Sequence, residues 1–232
     1  MWTWLLSLEQ QRRRLYAKLP DSPLRAFYAV PFHKRREPAW GLSYLSVDLE
    51  TTGFDPNSDA ILSIGHVDIH KGQIELGSAK HVIVQTHTEI TEQSAVIHGI
   101  TDDASAQGQR YKHAMEDLLS SLAGKVLIAH HARLELGFID RACRTLYGGP
   151  FITPTVDTLH LALKRLERRQ HSFPSGALRL YKLREEYGLP RYKAHNALTD
   201  ALATAELFLA QLAEKGGGHS LRLKDIQLPR NA

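Results

Sequence analysis

The chain of 232 residues contains a single cysteine, Cys143. That excludes an internal disulfide framework and a Cys-rich zinc site, and it suits a reducing, cytoplasmic setting. No stretch approaches the ~20 consecutive apolar residues that a membrane-crossing helix needs. Residues 1–8 are apolar, but the run is short, lacks a basic residue ahead of it and is followed by Arg12, Arg13 and Arg14, so a secretory signal is not expected. There are 13 histidines, yet no H-E-x-x-H spacing, which argues against a zinc hydrolase of that type. Internal repeats are absent as well. What is present is ordinary for one globular domain with a real core: 43% hydrophobic and 23% charged residues. The net charge of +4 is compatible with a polyanionic partner and too small to establish one.

Composition divides the chain at about residue 40. Residues 1–40 form a basic extension in which Leu5, Leu8, Leu15 and Leu19 lie among Gln11, Arg12, Arg13, Arg14 and Lys18. This predicts an amphipathic helix broken by Pro20 and Pro23. The charges read either as a solvated face or as a contact for phosphates or a partner protein. Residues 41–215 read as the main domain, and 216–232 as a tail opened by glycines. Strands are expected at 42–49, 61–69, 74–84 and 126–129, and helices at 111–122, 134–147, 156–166, 178–187 and 197–213. Residues 172–176 read as a loop. Strands first, then strands mixed with helices, predict an α/β domain with a mixed central sheet flanked by helices.

Three segments carry chemistry. In Asp48-Leu49-Glu50-Thr51-Thr52-Gly53, the two acids are two apart on a strand and share one face. Paired carboxylates at the end of an apolar strand either stay solvated or are neutralised by a hard divalent cation. In His195-Asn196-Ala197-Leu198-Thr199-Asp200, five positions on a regular helix turn about 140°, so His195 and Asp200 would not share a helical face. They converge if Asp200 is helical and His195 lies in the loop before it. There the imidazole is either a cap or a proton acceptor. In Ala129-His130-His131-Ala132-Arg133-Leu134-Glu135, Glu135 falls in a first helical turn, where the helix dipole alone would favour it.

Together the three segments resemble the DEDDh (DnaQ-like) 3′–5′ exonuclease family, which includes the epsilon proofreading subunit of bacterial DNA polymerase III. Softer matches lie at Ile97-His98-Gly99-Ile100-Thr101 and Val156-Asp157-Thr158-Leu159. The resemblance spans residues 42–212 and implies a ribonuclease H-like fold. It implies hydrolysis of nucleic-acid 3′ ends to nucleoside 5′-monophosphates with two Mg²⁺ or Mn²⁺ ions. Asp48, Glu50, Glu135 and Asp200 would be the metal ligands, and His195 the general base. Leu49, Thr51, Thr52, Gly53, His98 and His131 would contact the terminal nucleotide. The partner would be DNA, slightly favoured, or RNA, and a replication or repair partner is implied only by the family.

One departure stands out. The family's second motif ends in Asp, where this chain has Glu135, and His131 replaces the usual Asn. Glu135 can still hold the second ion, directly or through water. Alternatively Asp140 substitutes, although it lies further round the helix, or the second site is weak. A non-catalytic nucleic-acid-binding or adaptor module on the same fold is the rival reading. Arg165, Arg168, Arg169, Lys182 and Arg184 read either as a strand-binding groove or as solvated charge.

Overall fold

The computed structural model describes residues 6–86, 88, 90–169, 174–216 and 221–229. Its centre is a six-stranded mixed sheet in the order β4-β3-β2-β1-β5-β6. Strands β1 (Ser43–Thr51), β2 (Ile61–His70) and β3 (Gln73–Gln85) form an antiparallel meander. Strand β5 (Val126–Ala129) runs parallel to β1, and β6 (Thr155–Asp157) parallel to β5. The short β4 (Gln109–Arg110) adds to the β3 edge.

Alternation along β1 divides the core. Leu45, Val47 and Leu49 pack on one face with helices α5 (Tyr111–Leu122) and α6 (Arg133–Tyr147). Tyr44, Ile128 and Val156 pack on the other face with α9 (Ala197–Glu214). Helix α9 is rich in alanine, so its backbone lies close to the sheet; Ser46 Oγ donates to the Ala201 carbonyl at 2.7 Å.

Several segments depart from the sequence expectations. Residues 155–157 form β6, and α7 (Thr158–Arg169) starts only after it. The helix predicted from residue 156 thus begins with buried strand residues, because Leu127 and Ala129 pair with Thr155 and Asp157. Pro23 does not only break a helix: it opens α2 (Pro23–Ala29), following α1 (Leu8–Lys18), and proline suits a first helical turn. The apolar residues of α2 are core. Leu24, Phe27 and Tyr28 belong to the cluster of Leu45 and Leu118, and Tyr28 Oη donates to the Pro150 carbonyl at 2.8 Å while accepting from Ile152 N at 2.8 Å. Arg12 is buried against Glu9 and the Tyr28 carbonyl instead of lying on a solvated face. Downstream, Leu223 and Ile226 of the short helix α10 (Leu223–Ile226) fill the second core cluster.

Two short helices, α3 (Glu92–His98) and α4 (Asp102–Ala106), lie between β3 and β4 and carry no long apolar period. Side chains of Thr91 and Thr101 cap them. Helix α8 (Leu180–Glu186) is shorter than expected. Of the loop expected at 172–176, residues 172 and 173 lie outside the described residues.

Candidate active site

The β1 ladder sets the site. Asp48 and Glu50 share the face opposite Leu49, whose side chain is 5% exposed and packed in the core. Any substrate contact at Leu49 is therefore through its backbone, not its side chain. Across the ladder, Asp48 pairs with Gly65 of β2. A Cβ on Gly65 would stand 2.1 Å from the backbone carbon of Ala197. Real Cβ atoms do not approach so closely, so the missing side chain admits the first turn of α9 to the sheet beside Asp48.

That turn delivers two further groups. Asn196 caps α9 by accepting from Thr199 N at 3.1 Å. His195 stands before the cap with φ 68°, a left-handed conformation uncommon outside glycine. The carboxylate of Asp200 accepts the His195 backbone N–H at 2.7 Å, so one residue holds the loop and also faces the site. Carboxylate oxygens of Asp48, Glu50 and Asp200 lie within 4.8 Å of one another.

Glu135 enters from the first turn of α6 and is 2% exposed. It lies outside that three-oxygen group, yet its charge is the largest electrostatic influence on Asp48, ahead of Asp200 and Glu50. Burial pushes the Glu135 carboxyl up to about 8. Asp48 is raised well above the usual carboxylate range by burial and then by these three acids, and Asp200 is raised chiefly by burial. Oε1 of Glu50 and Oε2 of Glu135 are buried without a hydrogen-bond partner. Four converging acids, two with orphaned oxygens, are a costly arrangement for a protein alone and fit a hard divalent cation.

The turn that delivers Glu135 is clamped from β6. Asp157 accepts the backbone N–H groups of His131 at 3.0 Å and Ala132 at 3.1 Å, and that of Leu159 at 2.9 Å. His131 is exposed and left-handed, with φ 73°. His130 is bound by Thr158 Oγ1 and the Leu178 carbonyl, and burial lowers its pKa to about 4, so it is a neutral structural residue. Asp140 is engaged elsewhere, with Arg144 and Phe151 N, and does not substitute for Glu135.

His98 ends α3 with its Nδ1 2.5 Å from Oε2 of Glu50, which puts it inside the acidic cluster. After Glu50, Thr51 Oγ1 donates to the Gly53 carbonyl at 2.6 Å, and Thr52 Oγ1 donates to Asp59 at 3.2 Å. A side chain on Gly53 would meet that Asp59 carboxylate at 2.5 Å. Both hydroxyls thus shape the turn, and Phe54 beyond it is 86% exposed.

A cavity of about 650 Å³ opens from Asp48, His195 and Asp200 and is walled by Phe54, Leu178, Arg179, Tyr181, Arg191 and Tyr192. The sequence reading missed the roles of Phe54 and Asp157 here, although Asp157 lay in a quoted motif. Of the groove candidates, Arg184 is 3% exposed and donates to the carbonyls of Ala203 and Pro190. Arg165 pairs with Glu186. Neither side chain is free to follow a strand.

The exonuclease (RNase T) family model matches residues 45–208. The chain belongs to this exonuclease family. It is 32% identical over 167 residues to a PolC-type DNA polymerase III of Thermotoga petrophila, covering 72% of this chain and 12% of that one. A PolC-type polymerase of Staphylococcus epidermidis is 27% identical over 184 residues, covering 78% and 12%. The chain therefore spans about an eighth of the length of these curated relatives. Among solved structures, Exonuclease X in complex with 5′-overhanging duplex DNA aligns with a TM-score of 0.57 at 23% identity, covering 79% of this chain and 98% of that one. The nuclease domain of 3′hExo, a DEDDh family member bound to rAMP, gives 0.62 at 14%, covering 79% and 97%. The zinc-bound form of E. coli Exonuclease I in complex with single-stranded DNA gives 0.65 at 18%, covering 79% and 42%. The fold is ribonuclease H-like, as expected, and the family match supports a DnaQ-like 3′–5′ exonuclease.

Proposed function

We propose that the chain is a metal-dependent 3′–5′ exonuclease that hydrolyses nucleic-acid 3′ ends to nucleoside 5′-monophosphates. The observation that carries this reading is the convergence of Asp48, Glu50 and Asp200 oxygens within 4.8 Å. Asp48, Glu50 and Asp200 would hold one of two Mg²⁺ or Mn²⁺ ions, with Asp48 and Glu135 holding the other. Such ions, when bound, stabilise charge on the attacked phosphate and on the leaving 3′-oxygen. An imidazole nitrogen of His195 takes the proton of the attacking water, and its exposure at the mouth of the cavity lets it exchange that proton with solvent. The backbone at Leu49, Thr51, Thr52 and Gly53 would seat the terminal nucleotide, with His98 and His131 beside it. Phe54 offers an aromatic face for a base.

DNA is favoured as substrate. The PolC-type relatives and the DNA-bound neighbours support that choice; a cytoplasmic setting with a replication or repair partner is part of the proposal. No helix among the described residues is long and apolar enough to cross a membrane. The rAMP-bound neighbour keeps RNA as the alternative substrate. The experiment is a panel of 5′-labelled single- and double-stranded DNA and RNA and short oligoribonucleotides, each with Mg²⁺ and Mn²⁺. Stepwise shortening from the 3′ end with DNA preferred is expected. Preferred RNA cleavage moves the assignment to the alternative, and no cleavage of any substrate overturns the enzyme in favour of a binding module.

A further inference from the structure

Two groups of potential metal ligands overlap at Glu50. One is the carboxylate set already described. The other joins Glu50 to His98 and His195, whose ligand atoms also lie within 4.8 Å of one another. Its parts come from three elements: β1, the last turn of α3, and the loop before α9. The two imidazole rings are 6.1 Å apart and inclined at 77°, edge to face and not in a parallel stack. Glu50 is 6% exposed, and its Oε1 has no hydrogen-bond partner. His195 is exposed, which gives an ion a way in.

We propose that Glu50, His98 and His195 form a site for a borderline divalent cation, zinc, and that its occupancy switches the exonuclease centre off. Two imidazoles and one carboxylate, with a fourth position open to water, make a tetrahedral donor set suited to Zn²⁺. Mg²⁺ takes oxygen donors and competes poorly for imidazole nitrogen. An ion held there engages the His195 lone pair that would accept the proton, and it draws Glu50 away from the carboxylate set. The inhibition rests on the exonuclease reading; the binding of zinc does not.

The test is a Zn²⁺ titration of the full chain in excess Mg²⁺, read by competition with a chromophoric zinc indicator. One zinc ion should be retained. His98→Asn and His195→Asn should each weaken it by at least roughly tenfold, since losing even an outer-shell partner costs that much. Asp48→Asn should retain it. Wild-type affinity in His98→Asn overturns the site, and so does loss of zinc in Asp48→Asn with retention in His98→Asn, which puts the ion among the carboxylates. Histidine-ring NMR of the unaltered chain gives a measurement independent of variant folding. Zinc should shift the signals of His98 and His195, and shifts confined to other histidines overturn the site. A chain that binds zinc in this pattern yet degrades nothing in Mg²⁺ or Mn²⁺ supports the site while removing the exonuclease function. An active enzyme without the pattern overturns the site alone.

Discussion

Oδ1 of Asp157 accepts the backbone N–H of His131 at 3.0 Å and fixes that residue in a left-handed conformation four positions before Glu135. The other oxygen holds Ala132 N. The direction in which α6 sets out, and so the placement of Glu135, depends on a carboxylate at the end of β6. Asp157→Ala leaves these amides without their acceptor, at a cost of about 1–3 kcal/mol. The expected outcome is a lower melting temperature and weaker stabilisation by Mn²⁺. An unchanged Mn²⁺ titration would show that the clamp has no bearing on the site.

Asp48→Asn and Asp200→Asn should each abolish hydrolysis with either ion. Each removes a charge from a crowded set of acids, so the metal-free variants should melt no lower than the parent. Melting curves with a chelator and with Mn²⁺ check this: the parent should gain stability from the ion, and the variants should gain little. Full activity in either variant would sink the assignment.

Replacing His195 with alanine removes the proposed proton acceptor and should slow turnover by roughly 10²–10⁴-fold. Stabilisation by Mg²⁺ should persist, because the carboxylates remain. Single-turnover rates separate chemistry from binding, and an unaltered rate takes His195 out of the mechanism.

Glu135 titrates near 8 in the folded metal-free chain, against an ordinary value of 4.5. The folded state therefore binds the proton more tightly than the unfolded one. The stability this gives is complete at low pH and lost as pH rises toward 8. Asp48 and Asp200 act in the same direction. His66 and His130, both lowered to about 4 by burial, act oppositely, but only below their ordinary value of 6.5. Between about pH 6.5 and 8 the carboxylates thus dominate, and metal-free stability should fall as pH rises. Glu135→Gln should flatten that slope, and so should Mg²⁺. Thermal melts across this window test it; an equal slope in Glu135→Gln would contradict the assignment.

Gly65→Ala drives a methyl group into the backbone at Ala197. Overpacking of this kind costs about 1–3 kcal/mol. Here it also lifts the start of α9 from Asp48, so activity should fall along with stability. Gly77→Ala has open space around the added carbon and serves as the neutral control. Equal activity in the two variants would refute the role given to Gly65.

Much of the centre was legible in the chain because local periodicity carries it. The alternation around Asp48 and Glu50 and the apolar stripe of α9 each follow from residues adjacent in sequence. The loop position of His195 follows from its spacing to Asp200. What was hidden depends on topology. The opposition of Asp48 and Gly65 is a matter of register between two strands. Arg184 reads as a groove or solvated charge because its sequence neighbours are Lys182, Glu185 and Glu186, whereas its acceptors are the carbonyls of Ala203 and Pro190. β6 spans only Thr155–Asp157, too short to show a period, so its residues were absorbed into the helix that follows.

The docking of α9 onto β1 and β2 also fixes when the centre can exist. Asp48 belongs to the first strand, while Asp200 belongs to the final long helix and is held across a wide sequence separation. Contacts so distant in sequence form after local ones, because closing the intervening loop is entropically costly. A meander that pairs before α9 docks holds Asp48 and Glu50 in register, yet it still lacks Glu135, Asp200 and the imidazole of His195. Asp200 on the helix and His195 in the loop before it reach the meander together, when the first turn of α9 settles into the gap left by Gly65.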